Sequence, residues 1–148
     1  MLQPVFDDQY FMNKALDEAK MAYSKGEVPV GAVIVIEEQI IARGHNLTEL
    51  LTDVTAHAEM QAITSAANFI GGKYLTGCTM YVTLEPCQMC AGALAWSQIS
   101  VLVFGADDPK RGYRACQGKL HPKTKVRSGI LGEQSRELIN NFFNGLRK

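Results

Sequence analysis

Four side chains in this sequence have the types and spacing to bind a metal and move a proton. Cys87 and Cys90 stand three residues apart in Glu85-Pro86-Cys87-Gln88-Met89-Cys90, directly after a proline. On a helix, residues i and i+3 share a face, so both sulfurs can reach one point in space. His57 lies 30 residues upstream, in His57-Ala58-Glu59. One imidazole and two thiolates supply three of the four donors of a tetrahedral zinc site, and a site with only three protein ligands keeps its fourth position open to water. Glu59, two residues past His57, can hydrogen-bond such a water without ligating the metal. A carboxylate so placed takes the water's proton and passes it to a substrate, which is hydrolytic chemistry.

Each half of this pattern is weak alone. His-x-Glu arises often by chance, and one Cys-x-x-Cys also suits a redox pair or half of a structural zinc site. A structural site needs a fourth ligand, for which Cys78, Cys116, His45 and His121 are the candidates, and none of them forms a second close pair. The ordered combination is far more specific. His-x-Glu opens one helix, and strand-Pro-Cys-x-x-Cys opens the next, so two positive helix ends would favour thiolates at one site.

The elements that must position these residues follow from periodicity. Residues 7–25 read as a helix with Met12, Leu16, Ala19 and Tyr23 on its apolar face and Gly26 as its stop. Residues 28–36 form a β-branched run too continuous for a half-exposed strand, which predicts a strand buried on both sides. Pro29 fits only at its start, and Gly31 marks a close backbone approach. Glu37-Glu38 turns the chain into a second strand, Gln39 to His45. After a polar loop over 46–56, residues 57–69 read as a helix with Met60, Ile63 and Ala67 inward and Thr55 as N-cap. Gly71-Gly72 ends it. A third strand over 80–84 leads into Pro86 and a helix to Gln98. A fourth strand covers 101–105, a short fifth lies near 125–127, and a helix over 133–146 turns Leu138, Ile139, Phe142, Phe143 and Leu146 inward. Helices alternating with buried strands predict an α/β sandwich, one sheet covered on both faces.

Composition bounds the rest. The 148 residues suit one domain, 1–148, and 47% hydrophobic with 20% charged residues is ordinary for a soluble globular protein. The N-terminal residues lack a basic run followed by an apolar stretch, and no apolar run approaches membrane-spanning length, so a cytoplasmic protein without a membrane partner is the expectation. Four cysteines read as metal ligands or free thiols, with Cys78 a small core residue and Cys116 a loop thiol. The formal net charge is zero, yet residues 1–72 hold four Lys/Arg against ten Asp/Glu while 73–148 hold eleven against five. Within 109–127 stand Lys110, Arg111, Arg114, Lys119, Lys123, Lys125 and Arg127 with no acid. Such a local patch binds phosphates even on a neutral molecule, although a solvated lysine-rich loop gives the same composition.

Three stretches carry a family resemblance: Glu27-Val28-Pro29-Val30-Gly31-Ala32-Val33, Thr55-Ala56-His57-Ala58-Glu59, and Tyr81 through Cys87-Gln88-Met89-Cys90 to Ala93. With the closing Asn141-Phe142-Phe143, they resemble the bacterial tRNA adenosine deaminases of the zinc-dependent cytidine and deoxycytidylate deaminase superfamily. The resemblance implies a cytidine-deaminase-like three-layer α/β/α sandwich on a five-stranded mixed sheet. It implies one zinc ion per subunit on His57, Cys87 and Cys90, with Glu59 as the catalytic proton carrier. It also implies a hydrolase that converts adenosine to inosine at the first anticodon position of an arginine tRNA and acts as a homodimer. Asn46 matches the family's base-contacting asparagine. Val28, Pro29, Val30 and Leu84, with Ala58, would form the substrate pocket, since a base inside a stacked helix must be splayed out to be reached. Lys110, Arg111, Arg114, Arg147 and Lys148 are then candidates for the RNA backbone.

The zinc core fixes the reaction type better than the base. Leu47-Thr48 stands where the tRNA enzymes often have Arg-Pro, and Trp96 resembles a residue of some bacterial guanine deaminases. A free-base or nucleoside deaminase, guanine first, is therefore the alternative, and a structural zinc module the third reading.

Overall fold

The computed structural model describes residues 5–146. Helix α1 (Asp8–Ser24) starts where the Asp7 carboxylate accepts the Tyr10 N–H at 2.9 Å, and Gly26, at φ +75°, lets the chain leave it. Strand β1 (Gly31–Ile36) begins three residues later than the apolar run suggests. Pro29 has no N–H to give a ladder, and Val30 N–H instead closes a tight turn onto the Val28 carbonyl at 2.8 Å. Glu37 and Glu38, both at positive φ, carry the chain through a two-residue turn into β2 (Gln39–His45).

Helix α2 (Ala58–Ile70) is capped differently from the expectation. His57 occupies the N-cap position, and the Thr55 hydroxyl donates to Asp53 Oδ1 at 2.7 Å. Its buried stripe is also displaced, to Ala58, Glu59, Ala62 and Ala66, leaving Met60, Ile63 and Ala67 half-buried. The reason lies on β2. Gly44 faces this helix so closely that a Cβ there would press on the Ala58 carbonyl at 2.5 Å and the Ala62 nitrogen at 2.9 Å. Small residues on the helix and none on the strand let the two backbones meet. Gly31 does the same for α1, where a Cβ would overlap the backbone of Ala15 and Ala19. Strand β3 (Thr79–Leu84), helix α3 (Gln88–Ser97), strands β4 (Val101–Ala106) and β5 (Lys125–Ser128), and helix α4 (Gly132–Leu146) complete the order.

The sheet runs β2-β1-β3-β4-β5, with β1 antiparallel to both neighbours and β3, β4 and β5 parallel. Alternation along β1 and β3 divides the core between two faces. Ala32, Ile34, Met80 and Val82 pack with Leu94, Leu102 and Phe104 under α2 and α3. Val33, Val35 and Tyr81 pack with Phe11, Met12 and Val103 under α1, and α4 closes this face against β3 and β4. Edge strand β5 is wholly exposed and is fastened by Arg127, whose Nε and Nη2 donate to Asp8 at 2.7 and 2.9 Å.

Helix α4 turns a narrower stripe inward than its apolar residues suggest. Phe142 is buried, edge-on to the exposed Tyr23 ring of α1, and Leu138 and Ile139 are half-buried, but Phe143 and Leu146 are exposed. The helix lies along the sheet's rim, so only one side meets protein. At that rim converge the carboxyl ends of β2, β3 and β4, the amino end of β1, and the first turns of α2 and α3. Open α/β sheets present their binding crevice at the carboxyl ends of strands.

Gly44→Ala should move α2 off β2 and lower the unfolding free energy by about 1–3 kcal/mol, as overpacking does. Equilibrium denaturation measures this, and an unchanged midpoint would mean that α2 is not seated by that contact.

Candidate metal centre and cleft

His57 and Cys87 occupy equivalent places. Each is an N-cap in extended backbone, at φ −74° and −72°, and neither side chain makes the usual capping hydrogen bond. Both are thereby free to turn toward each other. His57 Nδ1 lies 3.6 Å from Cys87 Sγ and 3.5 Å from Cys90 Sγ, and the three donors all fall within 4.8 Å of one another. Tetrahedral zinc bonds of roughly 2.0–2.1 Å to nitrogen and 2.3 Å to sulfur separate the two donors by about 3.6 Å. The donor set therefore fits zinc in type and in spacing. The other cysteines and histidines are engaged elsewhere. Cys78 is buried in the core, Cys116 Sγ lies 3.6 Å from the Lys110 carbonyl, and His45 bridges Glu18 and Lys25 at 3.0 Å each. His121 Nδ1 accepts the Lys123 N–H. Among the described residues, none of them joins the group of three.

The centre is tuned by its own members. The Cys90 thiol, donating to Cys87, and His57 beside it lower the Cys87 thiol to about 3. The same hydrogen bond and burial push Cys90 up, so the two sulfurs share one proton that a metal would replace. His57 is raised, chiefly by its contact with Cys87. Glu59, in the first turn of α2, is 4% exposed, and burial raises its carboxyl to about 7.

These residues form one wall of a cleft of about 670 Å³. Of the residues expected in the pocket, Val28, Val30, Asn46, Ala58 and Leu84 line it. Pro29 does not; it is buried in the tight turn between Val28 and Val30. Asn46 follows β2, and the loop after it is held by Glu27, a fully buried carboxylate. It accepts the N–H groups of Glu49 and Leu50 at 3.0 and 2.8 Å, and the Thr48 hydroxyl at 3.5 Å. Lys110 and Arg111 stand exposed on the cleft's edge. Arg114 is not among the lining residues but pairs with Glu85 and Asp107, which are, and Arg147 and Lys148 lie outside the described residues. Trp96 is not among the lining residues and is 85% exposed on α3.

Sequence reasoning missed the far wall, where Asp107, Asp108, Arg136, Asn140 and Phe143 line the cleft. Arg136 reaches the Asp107 carbonyl at 3.3 Å. The one available signal was Phe143, adjacent to the buried Phe142 and thus on a different side of the helix.

Comparison with known proteins bears on this arrangement. A family profile for the cytidine and deoxycytidylate deaminase zinc-binding region matches residues 6–106. The chain is 47% identical to the tRNA-specific adenosine deaminase of Bacillus subtilis, covering 95% of this chain and 91% of that protein. It is 45% identical to the protein of the same name from Aquifex aeolicus, covering 94% and 95%. A solved structure from work on A-to-I editing by tRNA:A34 deaminases at the wobble position superposes with a TM-score of 0.82 at 42% identity, over 87% of this chain and 98% of that one. A guanine deaminase from Bacillus subtilis superposes with a TM-score of 0.66 at 33% identity, over 75% and 68%.

Cys87→Ala and His57→Ala should each reduce bound zinc from about one ion per chain to a small fraction of that. Far-UV circular dichroism should be preserved, because both side chains are only half-buried. Elemental analysis after desalting gives the answer, and full zinc retention in either variant would remove that residue from the ligand set.

Proposed function

The chain belongs to the zinc-binding cytidine and deoxycytidylate deaminase family and, within it, to the tRNA-specific adenosine deaminases, and from that membership we propose how its own residues carry out the reaction. The protein is a hydrolytic deaminase that converts adenosine to inosine in a tRNA. We infer that the target is the first anticodon position of an arginine tRNA. The observation that carries the residue assignment is the meeting of His57 with Cys87 and Cys90 beside buried Glu59, on the wall of a cleft roomy enough for a nucleoside and its flanking phosphates.

His57, Cys87 and Cys90 would hold the zinc ion. When bound, zinc supplies a Lewis acid that brings a water's pKa near neutrality. The remaining work falls to the chain. The adenine ring, turned out of the anticodon loop, slides between the apolar Val28, Val30 and Leu84, which displace water from its faces. The Asn46 amide offers both a donor and an acceptor to the base edge, fixing which atom faces Glu59. Glu59 takes a proton from the attacking water and delivers it to N1 as the new bond forms at C6. Glu59 then takes the proton of the new C6 hydroxyl and gives it to the amine, so the C6–N bond breaks, C6=O forms, ammonia leaves and inosine remains. A carboxylate shielded from bulk water can hold each proton between transfers.

Lys110 and Arg111, outside the base pocket, suit the phosphates that continue the strand on either side. The pairing of two copies is supported by the apolar outer face of the α2–α3 layer. Trp96, Tyr74, Phe69 and Ile70 are exposed there, and a Leu75 N–H to Ser97 carbonyl bond brings the Tyr74 and Trp96 backbones together. Large exposed apolar side chains brought near one another, as Tyr74 and Trp96 are, suit a protein contact. No helix among the described residues is long and apolar enough to cross a membrane, and the proposed site of action is the cytoplasm, where tRNA is.

The zinc-loaded protein should produce inosine at the first position of an A-C-G anticodon in an arginine tRNA. Glu59→Ala should lower the rate by roughly 10²–10⁴-fold with zinc retained. Guanine, offered separately, should not be turned over. Guanine turnover without inosine in the tRNA would overturn the substrate assignment, and an active Glu59→Ala would overturn the role of Glu59.

A further inference from the structure

A second buried carboxylate lies against the cleft, and no step of the reaction uses it. Glu85 is 4% exposed and sits between Leu84, at the end of β3, and the Pro86-Cys87 segment. Both of its oxygens are occupied. Oε1 accepts the Asp108 N–H and Arg114 Nη2, each at 3.0 Å; Oε2 accepts the Arg114 N–H and Nε, each at 3.2 Å. A carboxylate so saturated has nothing left to offer a substrate. Its partners all belong to one loop.

That loop, residues 107–114, is built around the carboxylate. A Cβ on Gly112 would overlap the Glu85 carboxyl group, so the loop passes directly over it. The Gly112 N–H bonds the Asp108 carbonyl at 2.8 Å, and the Tyr113 N–H bonds the Pro86 carbonyl at 2.8 Å. An isolated bridge joins Gly112 to Cys87 itself. Arg114 completes the tie, with Nη2 also 3.0 Å from Asp107 and its guanidinium 5.1 Å above the Phe104 ring. At the crown of the loop, Asp108 Oδ1 accepts the N–H groups of Lys110 and Arg111 at 3.2 and 3.0 Å. Those two side chains are therefore exposed on the cleft's edge, and neither enters an ion pair among the described residues.

We propose that Glu85 is a positioning residue for polynucleotide recognition: through Arg114 and the 108–114 backbone it holds Lys110 and Arg111 where they meet the phosphates flanking the nucleotide whose base enters the cleft. This rests on the tRNA reading above. A free base carries no phosphate and would gain nothing from these cations, so the device favours nucleic acid over the free base. Its distinguishing consequence is a split between binding and turnover, because Glu85 acts on the loop and is itself neither a metal donor nor a proton carrier.

The experiment uses Glu85→Gln, Arg114→Gln and the double variant of the zinc-loaded full chain, with an anticodon stem-loop of A-C-G sequence as probe. Steady-state rates and fluorescence anisotropy of the labelled stem-loop are measured across a salt series, with zinc content alongside. Each single variant should raise KM about tenfold and leave kcat within about twofold, with zinc unchanged. The slope of log affinity against log salt should flatten by about one to two, as phosphate contacts are lost. The double variant should be less severe than the sum of the singles, since the two share the Glu85–Arg114 pair. Unchanged KM and salt slope in both singles would overturn the proposal, as would a fall in kcat or zinc with KM intact. Arg114 is half-exposed, so Arg114→Gln answers even if Glu85→Gln folds poorly. A wild type that binds the stem-loop with steep salt dependence but does not deaminate it would refute the reaction, while the salt slopes of the variants would still decide the role of Glu85.

Discussion

The approach of His57 to Cys87 and Cys90, at 3.6 and 3.5 Å, is the contact on which the rest of the architecture converges. It joins two chain segments thirty residues apart, and it requires two helices to begin at the same place. Each helix gives up the stabilisation of an ordinary N-cap there, worth about 1 kcal/mol, since neither His57 nor Cys87 caps its own helix by side chain. What the helices gain is a shared point where two positive ends meet two sulfurs, one of them already lowered to about 3. A displacement of a fraction of an ångström would spoil that point. The chain prevents it by backbone-to-backbone seating: Gly44 admits α2 onto β2, and the parallel pairing of β3 with β4 fixes the strand that feeds α3.

On the proposed reading, chemistry is separated from recognition. His57, Cys87, Cys90 and Glu59 stand at the first turns of helices anchored to the sheet. Asn46, Lys110 and Arg111 stand at or on loops, and each loop is organised by one buried carboxylate. Glu27 gathers the loop that follows Asn46, and Glu85 gathers the loop that carries Lys110 and Arg111. A buried carboxylate is costly unless its lone pairs are filled, and here backbone N–H groups fill them. The loops are consequently ordered without a hydrophobic core of their own, which leaves their outer surfaces free to be polar.

How much of this could be read from the sequence follows from how local each signal is. Cys-x-x-Cys after a proline and His-x-Glu after a polar loop act over one helical turn, so the meeting of His57, Cys87 and Cys90 with Glu59 close by was legible. Strand and helix order were legible too, because β1 and β4 are continuous apolar runs and α1 keeps its period. The losses came where a distant partner decides the outcome. Thr55 has the chemistry of an N-cap, but Asp53 takes its hydroxyl. Met60 looks like the centre of a core face, but Gly44 draws the alanine stripe inward, and Ile63 packs only at the core's margin. Arg114 reads as one more cation in a basic run, yet its partner Glu85 lies 29 residues earlier and turns it inward. Phe143 sits beside a core phenylalanine, and only the placement of α4 at the sheet's rim puts it on the cleft.

X-ray absorption at the zinc edge of the loaded protein counts the donors on the ion and so decides whether the centre is open. The expected shell is two sulfurs at about 2.3 Å and two lighter atoms at about 2.0–2.1 Å, one an imidazole nitrogen and the other an oxygen from water. The water should be displaced by a small anion and retained when a purine occupies the cleft. A shell of three or four sulfurs, or one closed by a second imidazole, would mean four protein ligands and a structural ion, and would contradict an open centre.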